Sequence, residues 1–331
     1  MDFIITNKLK KGDTVKVIAP SRSLSLLSEE TINIALNHLR ELGLQVEFSQ
    51  NAREIDVFQS STVDSRLHDL HDAFKDPNIK GILTVIGGFN CNQLLKYVDY
   101  DLIKNNPKIL CGFSDITALA NAIYAKIGVI TYSGMHFSSF GIQKENEFSR
   151  DYFYNCLMQE EEFCLKPSSD WSNDEWWCDQ DNRTFIPNEG FKIINRGVED
   201  KVCGKILGGN LSSFSILQGT EFAPPFEDNT VLFIEECSEQ SIQFFDRLLE
   251  SIIQQPNFKK VKALCLGRFE KATKMTDDLL EKIIKSKSEL NDITVICNMD
   301  FGHTSPMITF PIGGTCEIKT EPDLQITIRK H

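Results

Sequence analysis

The chain has 331 residues, 41% of them hydrophobic and 25% charged, the balance of a soluble globular protein long enough for two cores, which excludes a disordered or fibrous chain. Its formal net charge of -12, with no concentrated Lys/Arg run, argues against a nucleic-acid polymer or an anionic membrane as partner. Charged residues follow the start at once (Lys8-Leu9-Lys10-Lys11-Gly12-Asp13), leaving no apolar core for a signal peptide, and no stretch nears the roughly 18 apolar residues of a membrane span, so a cytoplasmic protein is expected.

From residue 14 to about 135, short β-branched runs alternate with segments of helical period, the pattern of parallel strands joined by helices. Thr14 to Ala19 reads as the first strand, stopped by Pro20-Ser21, and Glu29 to Leu42 as a helix with Ile32, Ile34, Ala35, Leu39 and Leu42 on one broad face. Next come a strand at Leu44 to Phe48, a helix at Thr62 to Phe74, and Gly81 to Ile86 as a strand buried on both faces. A broken helix over Leu94 to Lys104, a strand at Lys108 to Cys111, a helix over Ile116 to Ile127 and a strand at Val129 to Tyr132 complete a doubly wound, Rossmann-like α/β domain.

Residues 141 to 200, rich in acidic and aromatic residues and holding Trp171, Trp176 and Trp177, break this rhythm and read as a connecting segment. A second pattern follows: a strand over Lys201 to Leu207, a turn at Gly208-Gly209-Asn210, strands at Thr230 to Ile234, Val261 to Leu266 and Ile293 to Cys297, and helices at Ile242 to Gln254 and Asp277 to Lys287. The last 25 or so residues look all-β. The expected divisions are 1–165 for the first domain, 166–200 for the connecting segment and substrate loop, and 201–331 for the second domain.

The 10 cysteines show no C-x-x-C, and several lie in apolar strand-like runs, which suits buried free thiols better than disulfides or zinc. His68 and His71, three apart on a helix beside Asp69 and Asp72, have a metal-compatible spacing, yet no further ligand clusters with them and the face reads as plain surface. No metal and no cofactor is expected.

Cys111-Gly-Phe-Ser114-Asp115-Ile-Thr117 sets a serine between a strand and a helix, the setting of a nucleophile elbow, in which a sharp turn lifts the hydroxyl above the sheet edge. The Asp115 amide, at the helix start, is then available to a developing oxyanion; alternatively, Ser114 merely caps the helix. Ile86-Gly87-Gly88-Phe89-Asn90 offers Gly88 as a second oxyanion donor, or an ordinary tight turn; neither phosphate-loop pattern is present. Glu235 ends an apolar strand, either at a site or as a solvated cap. His303, in Phe301-Gly-His-Thr-Ser-Pro306, is the histidine best placed to serve as a base, since a pKa near 6.5 lets imidazole accept and return a proton near neutrality.

These motifs, with Asp99-Tyr-Asp101, Pro107-Lys108, Gly208-Gly-Asn-Leu211, Phe233-Ile-Glu-Glu236 and His303-Thr-Ser-Pro306, run in an order that resembles the LD-carboxypeptidase family of serine peptidases. The resemblance implies a Ser114-His303-Glu235 triad, an oxyanion hole from the Gly88 and Asp115 amides, an N-terminal Rossmann-like domain, a C-terminal domain with a barrel-like β portion, and a homodimer. Ile86 stands where the cell-wall branch usually carries Arg, and Asp174-Glu-Trp176 is similar to the stretch of the microcin C immunity branch whose tryptophan stacks on a nucleotide base. Trp176 is thereby a candidate base platform, or else a packed surface tryptophan, and Asn210 a candidate substrate contact. The substrate implied is a peptidyl or aminoacyl nucleotide cleaved at its amide; the alternatives are the LD-bond of a muropeptide and a non-catalytic binding role. Cys91 stands where this branch suggests Ser.

Overall fold

A computed structural model describes residues 3–331. The first part of the chain runs β1 (Thr14–Ile18), α1 (Glu29–Glu41), β2 (Gln45–Phe48), α2 (Val63–Lys75), β3 (Ile79–Thr84), α3 (Tyr100–Asn105), β4 (Ile109–Cys111), α4 (Ile116–Ile127), β5 (Thr131–Ser133) and α5 (Glu147–Leu157). Short strands follow: β6 (Phe163–Leu165), β7 (Asp170–Trp171), β8 (Ile186–Pro187) and β9 (Lys192–Asn195). The remainder is β10 (Lys201–Asn210), α6 (Leu211–Ser215), β11 (Thr230–Glu235), α7 (Ile242–Ile253), β12 (Val261–Gly267), α8 (Asp277–Lys285), β13 (Thr294–Met299), β14 (Phe310–Ile312), β15 (Thr315–Lys319) and β16 (Gln325–Lys330).

The first sheet has the order β14-β5-β4-β3-β1-β2, with β1 to β5 parallel and β14 antiparallel at the edge. Strands β1, β3, β4 and β5 are largely buried on both faces because helices cover both, while the edge strand β2 exposes Gln45 and Glu47. Val15, Val17 and Leu83 pack toward Ile32, Ala35 and Leu39 of α1, while Ile18, Ile82 and Leu110 pack toward Leu70 and Phe74 of α2 and Leu119 and Ile123 of α4. The second sheet has the order β6-β16-β15-β10-β11-β12-β13-β9, with a parallel centre of β10 to β13 flanked by antiparallel strands. The fold is therefore α/β in two sheet domains. The second sheet is open, with β6 and β9 as its edges, so the expected barrel-like closure is absent among the described residues.

Two further expectations are corrected. Residues 141–200 are not merely connecting: α5 buries Phe153, Cys156 and Leu157 in the core of the first sheet, and β6 and β9 are the outer strands of the second. The buried stripe of Glu147 to Leu157 (Ser149, Tyr152, Phe153, Cys156 and Leu157) has helical spacing, but it sits in an acidic, aromatic-rich stretch whose composition reads as a connection. Gly208-Gly209-Asn210 is not a turn but the end of β10, pairing in parallel register with Phe233, Ile234 and Glu235. The glycines serve a different need there. Both have positive φ (118° and 119°), and a Cβ on Gly209 would fall 2.5 Å from Thr117 Oγ1, so only glycine lets this strand end press on α4. Asn121 Nδ2 donates to the Gly208 carbonyl at 2.8 Å and the Asn210 amide to Thr117 Oγ1 at 3.0 Å, riveting the second sheet to the helix that begins beside Ser114.

Candidate active site

Ser114 stands at the point where β4 gives way to α4. Its φ is 59°, a left-handed conformation that costs a non-glycine residue roughly 1–3 kcal/mol and persists only where the surroundings enforce it. The enforcement is visible on both sides. A Cβ on Gly112 would lie 2.1 Å from Thr84 Oγ1, and one on Gly87 would lie 2.8 Å from both Ser114 Cβ and Oγ. Ser114 does not cap α4: the N-cap is Asp115, without a side-chain bond, and Ser114 contributes only its carbonyl, to the Thr117 amide at 2.9 Å. The hydroxyl is left for other work.

Asp115 uses its two ends differently. Its carboxylate is buried and accepts from Ser21 Oγ at 2.5 Å and from the Cys91 amide at 2.9 Å, tying the Gly87–Cys91 loop to the elbow. Burial pushes this carboxyl upward in pKa, against the pull of those donors. The amides of Gly88 and Asp115 donate to no protein acceptor among the described residues.

The second sheet supplies the ionisable groups. Apolar Val231 to Ile234 bring Glu235 to the end of β11, where it is 2% exposed rather than solvated. His303 follows β13 in a loop whose Gly302, at φ 100°, approaches so closely that a Cβ would sit 2.5 Å from Glu235 Oε2. His303 Nδ1 is 2.7 Å from Glu235 Oε2, and His303 Nε2 is 3.1 Å from Ser114 Oγ. Thus three side chains drawn from two domains form one continuous hydrogen-bonded line. Burial opposes charge on His303, but the Glu235 carboxylate, with Glu270 and Glu236 beyond it, outweighs burial and pushes the imidazole up to about 9.

Phe113 lies between two histidine rings, 5.3 Å from His303 and 4.2 Å from His136. His136, which sequence reasoning passed over, is fully buried with Nδ1 2.8 Å from Thr84 Oγ1, and burial, reinforced by the charges of His303 and Arg22, holds it well below 6.5 and hence neutral. Glu236 points away from His303 into a buried cradle, accepting from Asn210 Nδ2 at 3.1 Å, the Cys237 amide at 3.0 Å and Ser212 Oγ at 2.5 Å.

Asn210 is 4% exposed. Besides holding Glu236, its Oδ1 caps α6 by accepting from the Ser213 amide at 3.0 Å, so its side chain is engaged within the protein. Trp176 is half-buried and meets Trp177 edge-on at 5.7 Å. The stretch that carries it is tied to the histidine loop: Ser172 and Ser305 exchange backbone hydrogen bonds of 2.6 and 2.8 Å, and Arg183 bridges Asp174 (2.9 Å) to Ser305 Oγ (2.8 Å). On α2, His71 Nε2 accepts from the Asp99 amide at 2.9 Å, while the Asp69 carboxylate is not surface at all but buried, accepting from Ser49 Oγ at 2.6 Å and Asn51 Nδ2 at 2.9 Å. Among the described residues no cluster suited to a metal ion occurs and no helix is long and apolar enough to cross a membrane. All ten cysteines are free, with Cys91, Cys111, Cys156, Cys265, Cys297 and Cys316 buried.

A strained serine at a strand-to-helix elbow, joined through histidine to a buried glutamate across two α/β sheets, describes a serine hydrolase. The sequence signature of the LD-carboxypeptidase N-terminal domain matches residues 15–134 and that of the LD-carboxypeptidase C-terminal domain residues 203–318, and the chain belongs to this family of serine carboxypeptidases. It is 48% identical to YocD of Bacillus subtilis (strain 168) over 98% of this chain and 99% of that one. It is 24% identical to the murein tetrapeptide carboxypeptidase of Pseudomonas aeruginosa over 92% of each. Among solved structures, an MccF-like protein from Bacillus anthracis superposes with a TM-score of 0.96 at 49% identity, covering 99% of this chain and 100% of that one. The microcin C7 self-immunity protein MccF in complex with aspartyl sulfamoyl adenosine superposes with a TM-score of 0.89 at 27% identity over 99% of each chain.

Proposed function

We propose that the protein hydrolyses the amide of a peptidyl or aminoacyl nucleotide through an acyl-enzyme on Ser114. The line Ser114 Oγ, His303 Nε2 (3.1 Å), His303 Nδ1, Glu235 Oε2 (2.7 Å) carries this reading. With its proton on Nδ1 and donated to Glu235, His303 accepts the Ser114 proton at Nε2 as the hydroxyl attacks the carbonyl carbon. The Gly88 and Asp115 amides hold the oxyanion, and His303 returns the proton to the departing nitrogen. Water repeats the sequence to free the acyl group. Glu235 keeps the imidazole in the useful tautomer and stabilises its cation. Glu236 and Asn210 brace the strand ends behind it, so Asn210 serves the substrate region through the packing of β10 and α6.

Trp176 supplies the face on which the base stacks, which needs few hydrogen bonds. The sulfamoyl nucleotide bound by MccF supports this substrate class. The relationship to a murein tetrapeptide carboxypeptidase favours the second reading, cleavage of the LD-bond of a muropeptide by the same chemistry. The enzyme is further proposed to act in the cytoplasm as a homodimer. Mass spectrometry of products from an aminoacyl sulfamoyl adenosine and from a muropeptide tetrapeptide, given to one preparation, separates the two substrates. Ser114→Ala should abolish both activities, by several orders of magnitude, with the fold intact; undiminished hydrolysis by that variant rules out the triad. A serine-directed fluorophosphonate that fails to label Ser114 points instead to a binding protein.

A further inference from the structure

The loop after β1 carries a cation that the proposed chemistry does not use. Arg22 lies just past the carboxyl end of β1, the sheet edge at which open α/β folds bind their ligands. Its Nε donates to the Gly87 carbonyl at 3.2 Å and its amide to the same oxygen at 3.3 Å. A Cβ on Gly88 would fall 2.8 Å from Arg22 Cγ, and one on Gly87 would fall 2.8 Å from Ser114 Oγ, so the arginine stem and the nucleophile flank the same two-glycine loop. The arginine charge also bears on His136, the ring stacked behind Phe113.

Arg22 differs from the other arginines of this half of the site. Arg66 is spent on the Pro20 and Asn90 carbonyls and Gln93 Oε1, and Arg183 on Asp174. Arg22 is half-buried, yet among the described residues it forms no ion pair, and its Nη1 and Nη2 make no hydrogen bond. A guanidinium with a free fork, held by its Nε beside a nucleophile, matches an anion with two oxygens. The carboxylates of Glu235, Glu270 and Glu236, which bear on His303, would repel such an anion from the histidine side of the site.

We infer that Arg22 binds the anionic group on the leaving side of the scissile amide and so restricts the enzyme to bonds with an anion next to them. This deepens the proposed function and rests on it. In a peptide the group is the terminal α-carboxylate, one carbon from the amide nitrogen; in an aminoacyl nucleotide it is the phosphoryl or sulfamoyl group joined to that nitrogen. One arginine thus serves both substrates and explains why an exopeptidase, rather than an endopeptidase, is built on this site.

The test compares matched ligands in wild type and Arg22→Met, which removes the fork together with the Nε bond to Gly87 and keeps an unbranched stem against Gly88. One pair is a tetrapeptide and its C-terminal amide; the other is an aminoacyl sulfamoyl adenosine and the corresponding uncharged aminoacyl amide. Removing a charge-assisted contact should lower kcat/KM for the anionic members by roughly 10- to 100-fold more than for the neutral members, any loss shared by both reporting only the Nε bond to Gly87. Loss in one anionic series only identifies the natural source of the anion. Equal loss on anionic and neutral members, or loss on neither, overturns the inference. Calorimetric binding of the same pairs to Ser114→Ala and to Ser114→Ala/Arg22→Met reads the selectivity without turnover, and fluorophosphonate labelling of Ser114 reports separately on the catalytic reading.

Discussion

The two sheets contribute different kinds of group to one site. The first supplies backbone: a serine held at φ 59°, Gly87 packed against it, and the amides of Gly88 and Asp115. The second supplies charge: Glu235 at 2% exposure and His303 pushed up to about 9. Backbone geometry fails when a carbon atom is added, whereas an electrostatic relay fails when a charge is removed with every contact kept. Substitutions of these two kinds should therefore separate the two halves of the site, with different signatures in pH dependence.

The largest effect is expected from Glu235→Gln, with a loss of roughly 10³- to 10⁴-fold in kcat by analogy with other triad orienters. Its pH profile is the sharper reading. General-base catalysis needs neutral His303, so with a pKa of about 9 the wild-type kcat/KM climbs with pH through that value. Without the Glu235 carboxylate, burial is opposed only by Glu270 and Glu236, and the limb moves down from about 9. Stability follows the same linkage. Since the folded pKa is raised, the ion pair stabilises fully below the unfolded histidine value of about 6.5 and is lost as pH rises through about 9. Melting curves should thus show the variant's deficit at pH 6 and its disappearance above pH 9; a profile unchanged from wild type would detach Glu235 from His303.

Gly87→Ala tests the other half. Its Cβ would meet Ser114 Oγ at 2.8 Å, displacing that hydroxyl or the loop. A misplacement of this order should cost about 100-fold in kcat, with the pH limb still near 9 because the charged half is untouched. A shifted limb would show that the two halves are not independent.

How much of this was legible in sequence follows the same division. Ser114 and Glu235, each at the end of an apolar strand, and His303, among turn formers, could be picked out as candidates, but their positions left caps as alternatives and only the order of the motifs, through the family resemblance, joined them. Helix α4 over Ile116 to Ile127 could be bounded because Gly128 closes it at φ 72°. What could not be read was conformation and long-range pairing. Gly208-Gly209 has the composition of a turn, and only the proximity of Thr117 explains its use in a strand. Strand β6 pairs with β16 and β14 with β5, partners far apart in the chain and each only three residues long on one side, too short to show a period. Arg22 and His136 gave no signal because a lone charged or aromatic residue in a loop acquires meaning only from what folds against it.

Trp176→Ala sharpens the comparison on the substrate side. The stretch bearing it is held by Ser172, Asp174 and Arg183 against Ser305, so removing the indole should leave the loop in place. Loss of a stacking face worth roughly 1–3 kcal/mol should raise KM for a nucleotide-bearing substrate about 10- to 100-fold without touching a muropeptide. Equal KM for the nucleotide substrate in both enzymes would remove Trp176 from the binding site.

The smallest effect on turnover, and the one that joins the two sheets, is expected at Asn210. Its amide is on Thr117 of the first domain, its Oδ1 caps α6, and its Nδ2 donates to Glu236 at 3.1 Å. Asn210→Ala loses a cap worth about 1 kcal/mol, so a fall of a few degrees in Tm and a few-fold loss of kcat are expected. Asn210→Asp keeps the cap but sets a third carboxylate beside Glu235 and Glu236, in a place where burial and Glu235 already raise the pKa of Glu236. Its deficit relative to wild type should therefore exceed that of the alanine variant at pH 8 and shrink as acid protonates the cluster. If the aspartate variant were as stable as wild type at pH 8, Glu236 would not be the anion that Asn210 restrains, and Glu236 would have to be held by the Ser212 hydroxyl and amide and the Cys237 amide.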